Sequence, residues 1–186
     1  ACSLTDLSHF GLIRASGSDL RDFLQGQLTN DVHLVTPELA QLSSYCNPKG
    51  RMLGSFWIIQ RDDDLYLQLP ADRLEAIAKR LRMFVMRSDV TLEPTDELVR
   101  FGLTGDCAPE LLPFAPTDAK ACVTRDAITV MRLPGDRPRF EVLGPATELA
   151  ALWSEIAPSA EQTGPDFWRL MDIRAAEISS ILKDQI

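Results

Sequence analysis

Two short segments set polar groups beside glycine in otherwise apolar surroundings: Gln25-Gly26-Gln27-Leu28-Thr29-Asn30-Asp31 and Tyr45-Cys46-Asn47-Pro48-Lys49-Gly50-Arg51-Met52-Leu53. A small-molecule site has this make-up, with backbone close to the ligand and a few convergent polar groups. Asn30 and Asp31 have two readings. They end a helix and cap a turn, or they hydrogen-bond a polar heterocycle, where one carboxylate accepts two N–H bonds. Lys49 and Arg51 flank Gly50 and also have two readings: a solvated hairpin turn, or capture of an anion beside exposed backbone N–H groups. Gln25 and Gln27 cannot share a helix face, and Gln27, nearer the helix end, is the better candidate.

No other catalytic constellation is visible. The chain has no GxSxG, P-loop, HExxH or GxGxxG pattern. Its histidines, His9 and His33, lie beside no plausible nucleophile. Lys79, Arg80, Arg82 and Arg87 form a basic cluster, read either as a solvated helix face or as a contact for RNA or an acidic partner.

The elements that must carry these residues follow from periodicity and turn chemistry. Phe10 to Ala15 reads as a strand. Ser16-Gly17-Ser18 breaks it and can cap a helix starting at Asp19, with Leu20, Phe23, Leu24 and Leu28 on one face. Gly26 inside that helix costs about 1 kcal/mol relative to Ala, so close packing or a nearby ligand should offset it. Gln41 to Cys46 and Met52 to Gln60 read as strands joined by Asn47-Pro48-Lys49-Gly50, which fits a type I turn. Asp62-Asp63-Asp64 is a second turn, and Leu65, Leu67 and Leu69 mark the strand after it. Leu74, Ile77, Ala78 and Leu81 mark a helix, and Val85 to Glu93 reads as extended.

The polar stretch Glu93 to Glu97 suggests a boundary, giving subdomains over residues 1–95 and 96–186. In the second, strands are expected at Val99 to Leu103, Ala121 to Val123, Ile128 to Leu133 and Arg139 to Leu143. A helix follows through Leu149, Leu152, Trp153 and Ile156. A last helix opens at Gly164-Pro165 and runs through Phe167, Leu170 and Ile173. Strands and helices are mixed rather than strictly alternating, so the fold class expected is α+β.

The chain has 186 residues, 45% of them hydrophobic, enough for one large core or two small ones. Its net charge is −8, which disfavours broad electrostatic binding to nucleic acid or anionic membranes. Cys2, Cys46, Cys107 and Cys122 include no CxxC pair, so buried reduced thiols in a cytoplasmic protein are expected, with neither a zinc site nor a cluster of the chain's own. No apolar run reaches the roughly 18 residues of a membrane span, and no signal peptide is visible at Ala1 to Asp6.

The blocks FLQGQLTNDV, from Phe23 to Val32, and YCNPKGRML, from Tyr45 to Leu53, resemble the N-terminal half of the YgfZ family. These are folate-binding proteins related to the aminomethyltransferase (T-protein) of the glycine cleavage system. Weaker similarity covers Leu69-Pro70, Leu81 to Val90 and Trp168 to Ala175. The resemblance implies a T-protein-like fold of two similar α+β subdomains. It also implies tetrahydrofolate or a derivative as cofactor, and a role in supporting iron–sulfur enzymes or their assembly proteins, including enzymes that modify tRNA. Folate-binding residues implied are Gln27, Asn30, Asp31, Asn47, Lys49, Gly50 and Arg51. Glu141 joins them because related aminomethyltransferases carry a folate-contacting glutamate in a comparable segment; an exposed strand charge is the other reading of it.

The departures from the family matter as much. Where aminomethyltransferases carry two aspartates after the turn glycine, alignment places Gly54 and Ser55. Neither ionises at neutral pH, which argues against aminomethyl transfer and leaves folate binding open. Ala175-Ala176-Glu177 stands where the family usually has Ala-Gly and an apolar residue or Pro. The family's hallmark loop, Lys-Gly-Cys-Tyr-x-Gly-Gln-Glu, and the small β-barrel domain after it are not in this sequence, so a truncated form is expected. The resemblance and its departures thus imply a folate-binding accessory protein, non-catalytic in preference to catalytic. A folate-dependent aminomethyltransferase and a ligand-free docking module for an iron–sulfur assembly partner are the alternatives.

Overall fold

The computed structural model describes residues 1–175. The expectations for Ala176, Glu177 and the apolar end of the chain lie outside the described residues. Among the described residues two compact units are present, one of residues 10–96 and one of residues 1–9 with 97–175.

The Phe10–Asp96 unit has a sheet built from β2 (Phe10–Ser16), β3 (Gln41–Cys46), β4 (Met52–Arg61), β5 (Asp64–Pro70) and β6 (Thr91–Thr95), in the order β3-β4-β5-β2-β6. Neighbouring strands are antiparallel. Helices α1 (Leu20–Gln25) and α2 (Leu74–Arg82) supply Leu20, Phe23, Leu24, Ile77 and Leu81 to its core. The same core takes alternate strand residues, among them Ile13, Ala15, Tyr45, Phe56, Ile58, Leu65 and Leu67. Pro94 lies in β6, at the sheet edge, where an absent N–H costs least.

The other unit has a sheet in the order β11-β1-β7-β10-β9-β8. Its strands are β1 (Ser3–Asp6), β7 (Val99–Thr104), β8 (Cys122–Arg125), β9 (Ile128–Arg132), β10 (Arg139–Gly144) and β11 (Glu161–Thr163). β1 pairs parallel with β11 and antiparallel with β7. Leu4, Phe101, Leu103, Val130, Phe140 and Val142 pack on one face with α4 (Ala146–Ile156), while α3 (Ala108–Leu111) is a single turn. The last described helix is α5 (Pro165–Arg174). The α+β class holds.

Four local expectations need correction. α1 stops at Gln25, so Gly26 is its C-terminal cap, and a Cβ there would meet ordinary contacts only, the nearest at 3.5 Å. No packing or ligand is needed to offset it. Ser18 does not cap α1; its N–H and Oγ both donate to Asp89. Residues 85–89 are turns and bends, and only Thr91–Thr95 is a strand. In α5 the buried residue is Trp168, whereas Leu170 and Ile173 are exposed, because Gly102 leaves a flat space on β7 that an indole fills. The cysteine expectation also changes. Cys2 and Cys107 form a disulfide with Cα atoms 5.9 Å apart, since β1 lies beside β7 and the loop after it; Cys46 and Cys122 are in no disulfide.

Candidate functional site

The segment after α1 is fastened along the edge strand β3. Leu28 bridges to Tyr45, the Thr29 N–H donates to the Ser44 carbonyl, and the Ser44 N–H donates to Thr29 Oγ1. Asn30 donates its amide Nδ2 to the Leu42 carbonyl at 2.6 Å, and Gln41 Nε2 donates to the Asp31 carbonyl. Asp31 caps the 3-10 turn Val32–Leu34 through Oδ1, which accepts from the His33 N–H at 3.0 Å. Gln25 Oε1 accepts from the Val32 N–H, so this side chain holds the loop and Gln27 does not. Arg21 adds two bonds, to the Val32 and Val35 carbonyls.

The β3–β4 hairpin forms the second block. Asn47 Oδ1 accepts from both the Lys49 and Arg51 N–H groups, and the Gly50 N–H donates to the Asn47 carbonyl. Gly50 has φ +78, a conformation that favours glycine, with nothing within 4 Å of an added Cβ. Lys49, Gly50 and Arg51 are exposed, so the turn presents two cations to solvent.

Register separates the two blocks. The segment runs antiparallel to β3, with Asp31 at Gln41 and Leu28 at Tyr45. Asn47 lies six residue steps along from Gln41, or roughly 20 Å. Gln27 therefore approaches the hairpin, while Asn30 and Asp31 sit at the far end of β3. Only an extended ligand reaches both ends. The two non-ionising positions lie on β4. Ser55 is buried and donates to the Ser43 carbonyl at 3.4 Å, and Gly54 faces Ile77.

Glu141 belongs to the other unit. It sits on β10 opposite Gly102, with Arg139 opposite Thr104 and Leu143 opposite Arg100 on the same sheet face. Glu141 and Arg139 are each 2% exposed and Arg100 is 8% exposed. The exposed-charge reading of Glu141 is thus corrected: central strand position puts it inside. An added Cβ at Gly102 would lie 2.3 Å from the Trp168 ring, so the indole rests directly on the glycine. The Arg139 guanidinium lies 4.7 Å from the Trp168 ring and pairs with Asp172. Burial pulls the Arg100 pKa down, opposed by Glu141 and then Asp6. Burial, and next Arg169, lower the His9 pKa below its ordinary 6.5, against the pull of Asp172 and Asp6.

This charged cradle was missed in the sequence apart from Glu141. Its members come from β1's far end, β7, β10 and α5 and share no spacing. One usable signal was present: Arg139 and Glu141 alternate with Phe140 and Val142, so two charges occupy one face of a strand whose other face is core.

No family model matches the chain. Curated proteins named tRNA-modifying protein YgfZ do match. That of Colwellia psychrerythraea is 28% identical over 175 residues, covering 91% of this chain and 53% of the relative. That of Photorhabdus laumondii is 26% identical over 177 residues, covering 93% and 53%. That of Escherichia coli O157:H7 is 25% identical over 178 residues, covering 93% and 54%. The chain spans about half the length of the curated relatives it matches. Among solved structures, the glycine cleavage system aminomethyltransferase T from Bartonella henselae superposes with a TM-score of 0.76 at 18% identity, over 88% of this chain and 47% of that one. Heterotetrameric sarcosine oxidase from Corynebacterium sp. U-96 superposes with a TM-score of 0.59 at 11% identity, over 85% of each. The chain is therefore similar in sequence to the proteins named tRNA-modifying protein YgfZ and shares its fold with the aminomethyltransferase of the glycine cleavage system.

Proposed function

We propose that this chain is the folate-binding part of an accessory protein that takes tetrahydrofolate or a derivative and supports iron–sulfur enzymes, tRNA-modifying ones among them. The observation that carries the reading is the pairing of two likenesses, relatives named for tRNA modification and a fold shared with an aminomethyltransferase. Gly54 and Ser55 strengthen the accessory role. Glycine offers no side chain there, and the serine hydroxyl is spent on the Ser43 carbonyl, so neither stabilises an iminium or takes a proton.

The chemistry of these side chains suits a reduced folate. Lys49 and Arg51 are exposed cations suited to the two carboxylates of a glutamate tail. Asp31 keeps one carboxylate oxygen for ligand N–H groups after capping its turn. Gln27 and Asn47 line the approach to the hairpin, although the Asn47 oxygen is committed to holding the turn. Asn30 gives one amide N–H to the Leu42 carbonyl and keeps its Oδ1 acceptor and second N–H for a ligand.

Anaerobic calorimetry with tetrahydrofolate tests the proposal. Saturable heat is expected, with affinity about tenfold weaker in the Lys49→Ala/Arg51→Ala double variant, the scale of two exposed charge contacts, and an unchanged melting temperature. If saturating tetrahydrofolate gives neither heat nor a melting shift, in this chain or in the full-length polypeptide, the reading fails.

A further inference from the structure

The turns that follow α2 present an apolar tip that is exposed among the described residues. Met83 is 61% exposed, Phe84 47% and Met86 87%. Yet the backbone there is closely tied. The Met83 N–H donates to the Lys79 carbonyl, Phe84 to Leu81, Val85 to Arg82 and Ser88 to Val85. Met86 has φ +49, a left-handed conformation that costs a non-glycine residue roughly 1 kcal/mol or more.

The far end of the tip is clasped to the start of α1. Asp89 accepts from the N–H and hydroxyl of Ser18, its own N–H donates to Asp19 Oδ2 at 2.7 Å, and its carbonyl lies where a Cβ on Gly17 would be. Arg82 fastens the near end by donating to the Leu92 carbonyl. The tip is thus held in one shape while its large apolar side chains face water. Lys79 and Arg87 flank it, both exposed, with Arg80 half-buried beside them.

We propose that residues 83–87 form a docking surface for an acidic protein partner, one that offers an apolar pocket rimmed by carboxylates. Three features favour a protein. Met, Phe and Arg are enriched at the centres of protein interfaces. A strained methionine displayed at a tip suits insertion into a pocket. The flanking cations stand out on a chain of net charge −8, so their complement is an acidic rim. A two-fold contact between copies would set these cations against one another, which disfavours a second copy as occupant. The surface does not depend on the folate reading.

The test places the photo-crosslinking residue p-benzoylphenylalanine at position 84 of the full-length protein in its own cells, with position 38, another exposed site, as control. The expected result is a protein adduct from position 84 and not from 38, resistant to ribonuclease. Its trapped peptide should be acidic with apolar residues at its centre. Its yield should drop about tenfold in Lys79→Glu/Arg87→Glu and recover in Lys79→Arg/Arg87→Lys, with melting temperatures unchanged. A ribonuclease-sensitive adduct, a crosslink within the chain or between two copies, a yield indifferent to charge reversal, or labelling equal to the control would each overturn the proposal. Loss of tetrahydrofolate binding has no bearing on this outcome, so the two readings fail separately.

Discussion

Gly102 carries no side chain because the Trp168 ring occupies the space. With ring carbons 2.3–2.8 Å from an added Cβ, and the indole only 2% exposed, neither partner can yield cheaply. Gly102→Ala should cost about 1–3 kcal/mol in urea unfolding and red-shift tryptophan emission. His9 yields a pH prediction. Unfolded, it takes its proton near 6.5; folded, at lower pH. Between the two values the unfolded state binds more protons, so stability rises with pH through that window and is lost as pH falls below 6.5. Melting temperatures measured from pH 7.5 down to the lowered pKa should fall in the wild type and fall less in His9→Gln. At this scale Lys49, Gly50 and Arg51 were legible in the sequence, because a turn is a local object whose residues declare its geometry. His9, Arg100, Arg139 and Asp172 were not, because two strands, the turn after β1 and a helix must assemble before they meet.

At the scale of elements, two glycines contrast. Gly50 holds φ +78 at the hairpin tip, while Gly26 holds φ −76 at the end of α1. Gly50→Ala should destabilise by about 1 kcal/mol, and Gly26→Ala should be neutral or slightly stabilising, as chemical denaturation of the two variants will show. The hairpin and its strands could be read from alternation bounded by a Pro-containing turn. The stretch from Val85 to Val90 could not. Its valines suggest a strand, but the clasp between Asp89 and residues 17–19 lies some seventy residues away in sequence and bends the chain into turns. The stripe of Phe167, Leu170 and Ile173 misled for a related reason. Helical spacing marks a face, and only the partner surface, here Gly102, decides which side chain is buried.

For the whole molecule, the disulfide ties β1 to the loop before α3 across 105 residues of sequence. Replacing both Cys2 and Cys107 with serine should lower stability by about 2–4 kcal/mol, read as a reduced denaturant midpoint, with most of the loss in the unit containing β7 and β10. The T-protein-like fold was accessible from the resemblance of two sequence blocks. The residence of β1 in a sheet formed by residues beyond Glu97 was not, since nothing in Ser3–Asp6 specifies a partner. That strand has a consequence for how the protein is made. Leu4 pairs with Leu103 on one side and Gln162 on the other. At roughly 5–20 residues per second, β1 waits roughly 5–20 s for its first neighbour and roughly 10–30 s for its second. Phe10–Asp96, contiguous in sequence, can close its own core in the meantime. Among the described strands, the first to be synthesised is therefore among the last to be enclosed, so its apolar residues stay unpaired while the Phe10–Asp96 core can already close.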